Sequence, residues 1–171
     1  TLESAELLCA HLGPAFPFDD CYRLYIAHIN QALAEAVPLK PGVLELLPVL
    51  ARHGLKLAVA TSASRRSAES QLGRSGLRAH LPVVVTRDDV ARGKPHPDLF
   101  LRAAELLEVA PAECLAVEDS LNGIRAAFAA GMMPVMVPDL LTPTEEIRAM
   151  CLRVALDLHE LHGLLADFVL P

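Results

Sequence analysis

The chain has 171 residues, enough for one domain with a hydrophobic core and a small additional subdomain. Apolar residues make up 53% of it, which predicts a folded chain, and its formal net charge of −6 argues against nucleic acid and against an anionic membrane surface as partners. No apolar run reaches the ~18 residues of a membrane span, and four widely spaced cysteines show neither zinc-ligand nor disulfide-framework spacing, so a cytoplasmic location is expected.

The predicted secondary structure changes character near residue 38. Before this point, leucine and isoleucine stripes predict helices over residues 3–12 and 19–36. After it, strands alternate with helices, which is typical of a parallel sheet covered on both faces, with ligands bound beyond the carboxyl ends of the strands. The predicted strands are 55–61, 81–86, 114–117, 134–137 and 152–155, and the predicted helices are 41–53, 65–73, one from Pro97, 121–130 and 158–168.

Three strand ends carry polar clusters. The first strand of the alternating part runs into Thr61-Ser62-Ala63-Ser64 just before a helix. Hydroxyls and unpaired N–H groups at a helix start can bind phosphate, although capping of the helix by Ser62 or Ser64 explains the same residues.

The second cluster is the loop that holds Lys94. Pro95 and Pro97 restrict the backbone on both sides of His96, and Pro97 can open the next helix. A lysine in so restricted a loop is poorly explained as a solubilising charge, whereas His96 is better explained as a loop or capping residue.

The third cluster is the acid pair Glu118 and Asp119, directly after the apolar residues 115–117. Two adjacent carboxylates repel each other, and an oxygen-rich site without cysteine suits Mg²⁺. Helix capping by Asp119 or Ser120 is the alternative, but it explains Glu118 less well.

Taken together, these clusters resemble the haloacid dehalogenase superfamily, in the branch of β-phosphoglucomutase and phosphoglycolate phosphatase. The resemblance covers residues 38–140, and its motifs are far more specific in this order than singly. It implies a Rossmann-like three-layer α/β core at residues 38–171, with residues 1–37 as part of an α-helical cap. The matching runs are Lys40-Pro41-Gly42, Ala60-Thr61-Ser62, Gly93-Lys94-Pro95-His96-Pro97-Asp98 and Val117-Glu118-Asp119-Ser120-Leu121-Asn122-Gly123.

The resemblance also implies a role for each matching residue. Thr61, through its hydroxyl, and Ser62, through its N–H, would bind the transferring phosphoryl group. Lys94 would neutralise charge on the nucleophile and the phosphate, and Glu118 and Asp119 would hold Mg²⁺. The chain would then be a Mg²⁺-dependent phosphatase or phosphomutase, expected as a monomer, with a small phosphorylated metabolite as its partner.

The sequence departs from the family at the first motif. Family members carry D-x-D-G-[TV], whose aspartates attack phosphorus and transfer protons, but no D-x-D occurs in this chain. In the resembled fold this motif follows a central strand between the strands that end at Thr61 and Val117. We therefore expect a core that lacks its first strand, and a natural protein that is longer at its N-terminus.

Two other functions stay open at this stage. Carbon–halogen cleavage occurs on the same fold, but the Glu118-Asp119 pair argues against it because displacing halide needs no metal. A degenerate member that binds phosphate or a protein partner without turnover would be consistent with the missing first motif.

Overall fold

The structure is a computed structural model that describes residues 2–168. The chain divides into two compact units, with the boundary between Pro38 and Leu39. Within residues 2–168, no helix combines the length and the apolar character needed to cross a membrane.

The first unit consists of two helices, α1 (Leu2–Leu12) and α2 (Phe18–Glu35). Both were predicted from their apolar stripes, and the structure confirms them to within one residue. In α2 the ring of Tyr22 stacks against Phe18 at 5.7 Å and against Tyr25 at 6.4 Å between centroids. The assignment of this unit to a cap stays a prediction.

The second unit alternates between helices and strands, as predicted. Five strands follow one another along the chain: β1 (Ala58–Ala60), β2 (Val83–Val85), β3 (Leu115–Glu118), β4 (Met133–Met136) and β5 (Arg153–Val154). Six helices accompany them: α3 (Val43–Arg52), α4 (Arg65–Arg74), α5 (Asp98–Leu107), α6 (Leu121–Ala129), α7 (Glu145–Met150) and α8 (Leu158–Phe168).

Helix α7 was not predicted from the sequence. The Thr144 hydroxyl accepts a hydrogen bond from the Ile147 N–H, and Glu145 and Glu146 fill the first turn. A capping residue followed by acidic residues is a recognisable helix start. With only six residues, however, the helix is too short to show an apolar period.

The strands form two parallel sheets. In one, β1 pairs with β2 and places Val59 opposite Val84; in the other, β4 lies between β3 and β5 and places Val117 opposite Val135. Within residues 2–168, β1 and β3 make no ladder with each other. A closed sheet between these two strands would have contradicted the expectation of a missing first strand, and it is not found. That expectation stays a prediction.

Helices cover both faces of the strands, which gives the three layers that the alternation predicted. On one face, Leu99 of α5 packs on Val85, and Ile124 of α6 packs on Met136. On the other face, α3 and α8 pack on β4, because alternate strand residues point to opposite sides. The core of that second face consists of Leu46, Leu50, Val135, Val137, Ala155, Leu161 and Leu165.

Candidate functional site

All five predicted site residues lie around one cavity of about 470 Å³. Thr61, Ser62, Lys94, Glu118 and Asp119 line it, together with residues of β1 and β3. The cavity therefore lies at the carboxyl ends of β1 and β3, as expected for a parallel α/β fold. A second cavity, of about 520 Å³, lies near the amino ends of β1 and β2 and contains none of these five residues.

Residues 61–64, which we call the phosphate loop, connect β1 to α4. The Thr61 N–H donates to the Val85 carbonyl at 2.9 Å, and the Thr61 hydroxyl accepts from the Ala63 N–H at 3.1 Å. The Ser64 hydroxyl accepts from the Ser67 N–H and caps α4, so the capping alternative holds for Ser64. Within residues 2–168 the Ser62 N–H has no hydrogen-bond acceptor, which leaves it available to an anion.

Lys94 lies at the centre of the cavity and contacts both sheets. Its ammonium donates to the Ala60 carbonyl of β1 at 2.9 Å and forms an ion pair with the Glu118 carboxylate at the end of β3. Its Nζ lies 5.0 Å from the centre of the Phe100 ring, within the range of a cation–π interaction. The Lys94 side chain is only 11% exposed, which excludes the interpretation of Lys94 as a solvated surface residue.

Glu118 has partners on both of its oxygens. Oε1 pairs with Lys94, and Oε2 accepts from the Ser120 hydroxyl at 3.1 Å. The Ser120 hydroxyl also accepts from the Gly123 N–H and caps α6. The sequence predicted Mg²⁺ at the acid pair; in the structure Glu118 pairs with the Lys94 ammonium, and the Mg²⁺ site stays a prediction.

Asp119 differs from Glu118 in being exposed. Ser120, rather than Asp119, caps α6. Within residues 2–168 the Asp119 carboxylate has no hydrogen-bond or ion-pair partner, and it borders the cavity. Of the two acids, it is therefore the one available to a cation.

The candidate metal ligands at the cavity are the carboxylates of Glu118 and Asp119. The described part of the chain contains no group of three or more His, Cys, Asp or Glu residues able to hold one. Mg²⁺, however, commonly takes one or two carboxylates and completes its shell with waters and substrate phosphate. Asp119 and Glu118 fit that pattern, with oxygen as their only ligand atom.

Two contributions to the site were not predicted from the sequence. Lys40 lines the cavity as a second cation, and its Nζ lies 3.4 Å from Oδ2 of Asp139. Gly123 packs so closely on the Glu118 carboxylate that a Cβ would overlap it. Both residues belong to runs that carried the family resemblance, but neither run indicated these contacts.

The fold and this cavity define a class of protein: a three-layer α/β protein with a hydroxyl loop, a lysine and an acid pair at its strand ends. The sequence matches the family described as haloacid dehalogenase-like hydrolase over residues 6–137. Since that is well over half of the chain, the chain belongs to this family, and its relatives include phosphatases and β-phosphoglucomutases.

Two curated relatives and one solved structure illustrate the similarity. Hexitol phosphatase A of Escherichia coli (strain K12) is 38% identical over 66% of this chain and 51% of its own length. Beta-phosphoglucomutase of Bacillus subtilis (strain 168) is 40% identical over 58% of this chain and 43% of its own length. The chain thus spans about half the length of these relatives.

The solved structure is a point mutant of CbbY from Rhodobacter sphaeroides in complex with xylulose-(1,5)bisphosphate. It superimposes with a TM-score of 0.73 and 34% sequence identity, and the match covers 86% of this chain and 67% of that one.

Proposed function

We propose that this chain forms the phosphate-binding and acid-bearing part of a Mg²⁺-dependent phosphatase or phosphomutase acting on a small phosphorylated metabolite. The position of Lys94 carries the proposal. Its ammonium bonds to the residue before the phosphate loop and also to Glu118, so one cation lies between hydrogen-bond donors and acids. Phosphoryl transfer depends mainly on such positioning and charge neutralisation. The names of the relatives support the same reaction class.

Each of these groups then has a defined task. The Ser62 N–H binds one oxygen of the phosphoryl group. The Thr61 hydroxyl accepts from the Ala63 N–H, so its own proton is left to donate to a second oxygen. Lys94 keeps its contacts with Ala60 and Glu118 and directs its remaining N–H towards the phosphate, where it offsets negative charge.

The acid pair would hold Mg²⁺ when that ion is bound. Asp119 would be the direct ligand, and Glu118, which stays paired with Lys94 through Oε1, would add its second oxygen to the acidic side of the site. The ion supplies neutralisation of phosphate charge. Asp119 keeps its carboxylate exposed at the cavity rim for this purpose.

We assign the attack on phosphorus to no residue of this chain, because its sequence contains no D-x-D. A phosphate-binding module without turnover would use the same cavity, but the names of the relatives favour the enzyme. A cytoplasmic location and a monomeric state stay predictions.

The proposal is tested by calorimetric titration of this chain with inorganic phosphate, with and without MgCl₂. Lys94→Met is expected to weaken phosphate binding at least about tenfold, because a charge-assisted hydrogen bond contributes about 1.5–3 kcal/mol. Asp119→Asn is expected to remove the effect of MgCl₂ while leaving binding in its absence intact.

Lys56→Met is the matched control. Lys56 also donates to a backbone carbonyl, that of Leu107 at 2.6 Å, and it lines the other cavity. Equal phosphate affinity in Lys94→Met and Lys56→Met would rule the proposed site out. Hydrolysis of p-nitrophenyl phosphate by the product of the whole gene then separates the two functions: turnover supports the enzyme, and binding without turnover supports the module.

A further inference from the structure

The turn that follows β2 holds a network that the roles above do not use. Thr86 is completely buried. Its N–H and its hydroxyl both donate to Oδ2 of Asp89, each at 2.7 Å, so Asp89 is held in one orientation by a capping box. Asp89 lies well away in sequence from the phosphate loop, yet its carboxylate points at the residue that follows that loop.

Arg65 is that residue, and it is the first of α4. Its guanidinium donates to the same Oδ2 of Asp89 and, through the other terminal nitrogen, to the Val84 carbonyl at 3.0 Å. Its backbone N–H donates to Oδ2 of Asp88 at 2.7 Å. The Arg65 guanidinium is the largest cause that holds the pKa of Asp89 well below its usual range.

Two backbone hydrogen bonds extend the same connection into the phosphate loop. Thr61 donates to the Val85 carbonyl at 2.9 Å, and Arg87 donates to the Ala63 carbonyl at 3.2 Å. The loop is therefore held to the end of β2 on both sides of Ser62, the residue whose N–H has no acceptor within residues 2–168.

The expected size of each effect distinguishes a role of this network in stability from a role in positioning the loop. The Arg65 and Asp89 side chains are 42% and 31% exposed, and ion pairs at such positions contribute only about 0–1 kcal/mol to stability. Helix α4 already has its own cap in Ser64. In contrast, a displacement of about 1 Å in a group that orients a reacting phosphate can cost about a hundredfold in rate.

We propose that Arg65 and Asp89 are a positioning pair, which aims the Ser62 N–H into the cavity for binding a phosphoryl oxygen. This inference rests on the proposed function. Neither side chain touches the phosphate; both act through the loop that they hold.

The test compares Asp89→Asn with wild type by NMR titration with inorganic phosphate, observing the Ser62 amide, and by urea unfolding. The variant keeps the shape and an oxygen acceptor but loses the charge that pairs with Arg65. We expect phosphate binding to weaken about tenfold and the Ser62 amide to lose its response, with little change in the unfolding midpoint.

Glu146→Gln is the matched control, because it removes the charge from another arginine–carboxylate pair, that of Arg125 with Glu146 between α6 and α7, which two hydrogen bonds join. It is expected to keep phosphate affinity within about twofold. If Asp89→Asn does not fold, Arg65→Lys decides the matter: it keeps the charge but loses the planar fork, and we expect an intermediate loss of phosphate affinity.

The outcomes separate this inference from the proposed function. If the Ser62 amide responds to phosphate in wild type and equally in Asp89→Asn or Arg65→Lys, the positioning pair is refuted and the phosphate site stands. If the amide does not respond in wild type, the phosphate site itself is refuted.

Discussion

The two sheets contribute opposite kinds of chemistry to the same cavity. The β1–β2 sheet ends in the phosphate loop and supplies hydrogen-bond donors, whereas the β3–β4–β5 sheet ends in Glu118 and Asp119 and supplies acids. Lys94, on the connection from β2 to α5, contacts both. A phosphate needs donors for its oxygens and acids for the accompanying cation. The proposed site therefore needs both sheets.

The two sheets are joined to each other by side chains. Within residues 2–168 no backbone ladder joins β1 to β3, so side chains must connect them. On one face the connection is an apolar cluster between α5, α6 and the strands, which we call the joint cluster. Its members are Phe100, Ala104, Ala116, Ala126, Ala127, Ala130 and Met132, with Ala60 and Cys114 packed against it.

The largest expected effect comes from breaking the joint cluster. Phe100 is 7% exposed, and Phe100→Ala is expected to lower the free energy of unfolding by about 3–5 kcal/mol, because it leaves a cavity among small residues that cannot close it. Hydrogen exchange should show faster exchange in β1 and β3 alike. Phe100→Leu, which keeps most of the volume, is the control. Loss of protection confined to β1 and β2 would mean that the cluster does not join the sheets.

A smaller effect on the free energy of unfolding is expected where α6 packs on Glu118. Gly123→Ala places a methyl group on the Glu118 carboxylate and should destabilise the fold by about 1–3 kcal/mol through overpacking. Gly73→Ala makes the same change within α4, where a Cβ meets nothing within 4 Å, and should instead stabilise by about 0.5–1 kcal/mol. Urea unfolding of both variants checks the contrast. Equal shifts in the two would show that Glu118 is not held in place by α6.

The smallest effect concerns pH and compares Asp89 with Glu146. The pKa of each is lowered in the folded state, by Arg65 and Arg125 respectively. The unfolded chain therefore takes up these protons first as the pH falls. For Asp89 the stabilisation is complete above its unfolded pKa of about 3.9 and is lost as the pH falls towards the folded value.

Urea unfolding from pH 7 down to pH 2 checks this expectation. The difference between wild type and Asp89→Asn should be constant at neutral pH and should shrink at acid pH. Glu146→Gln should show the same direction with a smaller amplitude, because Asp89 also accepts two hydrogen bonds from Thr86. A difference that grows on acidification would contradict the assigned direction.

Much of the fold was predictable from local sequence. Apolar stripes predicted α2 and α5, and the apolar residues before Glu118 predicted β3, because helix and strand periods are properties of neighbouring residues. Strand ends were less predictable: the structure has β1 at Ala58–Ala60, shorter than the predicted 55–61. Strand length depends on pairing with a neighbour, and β2 pairs with only these three residues.

The sequence alone determined the alternation of strands and helices and five of the residues that line the cavity, since these lie at strand ends or in loops after strands, and parallel strands end on the same side. Only the tertiary structure decided which of these residues contact one another. It paired Lys94 with Glu118, left Asp119 exposed, and tied the phosphate loop to Asp89 through Arg65. The Lys94–Glu118 and Arg65–Asp89 contacts each join residues 24 positions apart. Such distances are set by packing of the sheets, which no local pattern encodes.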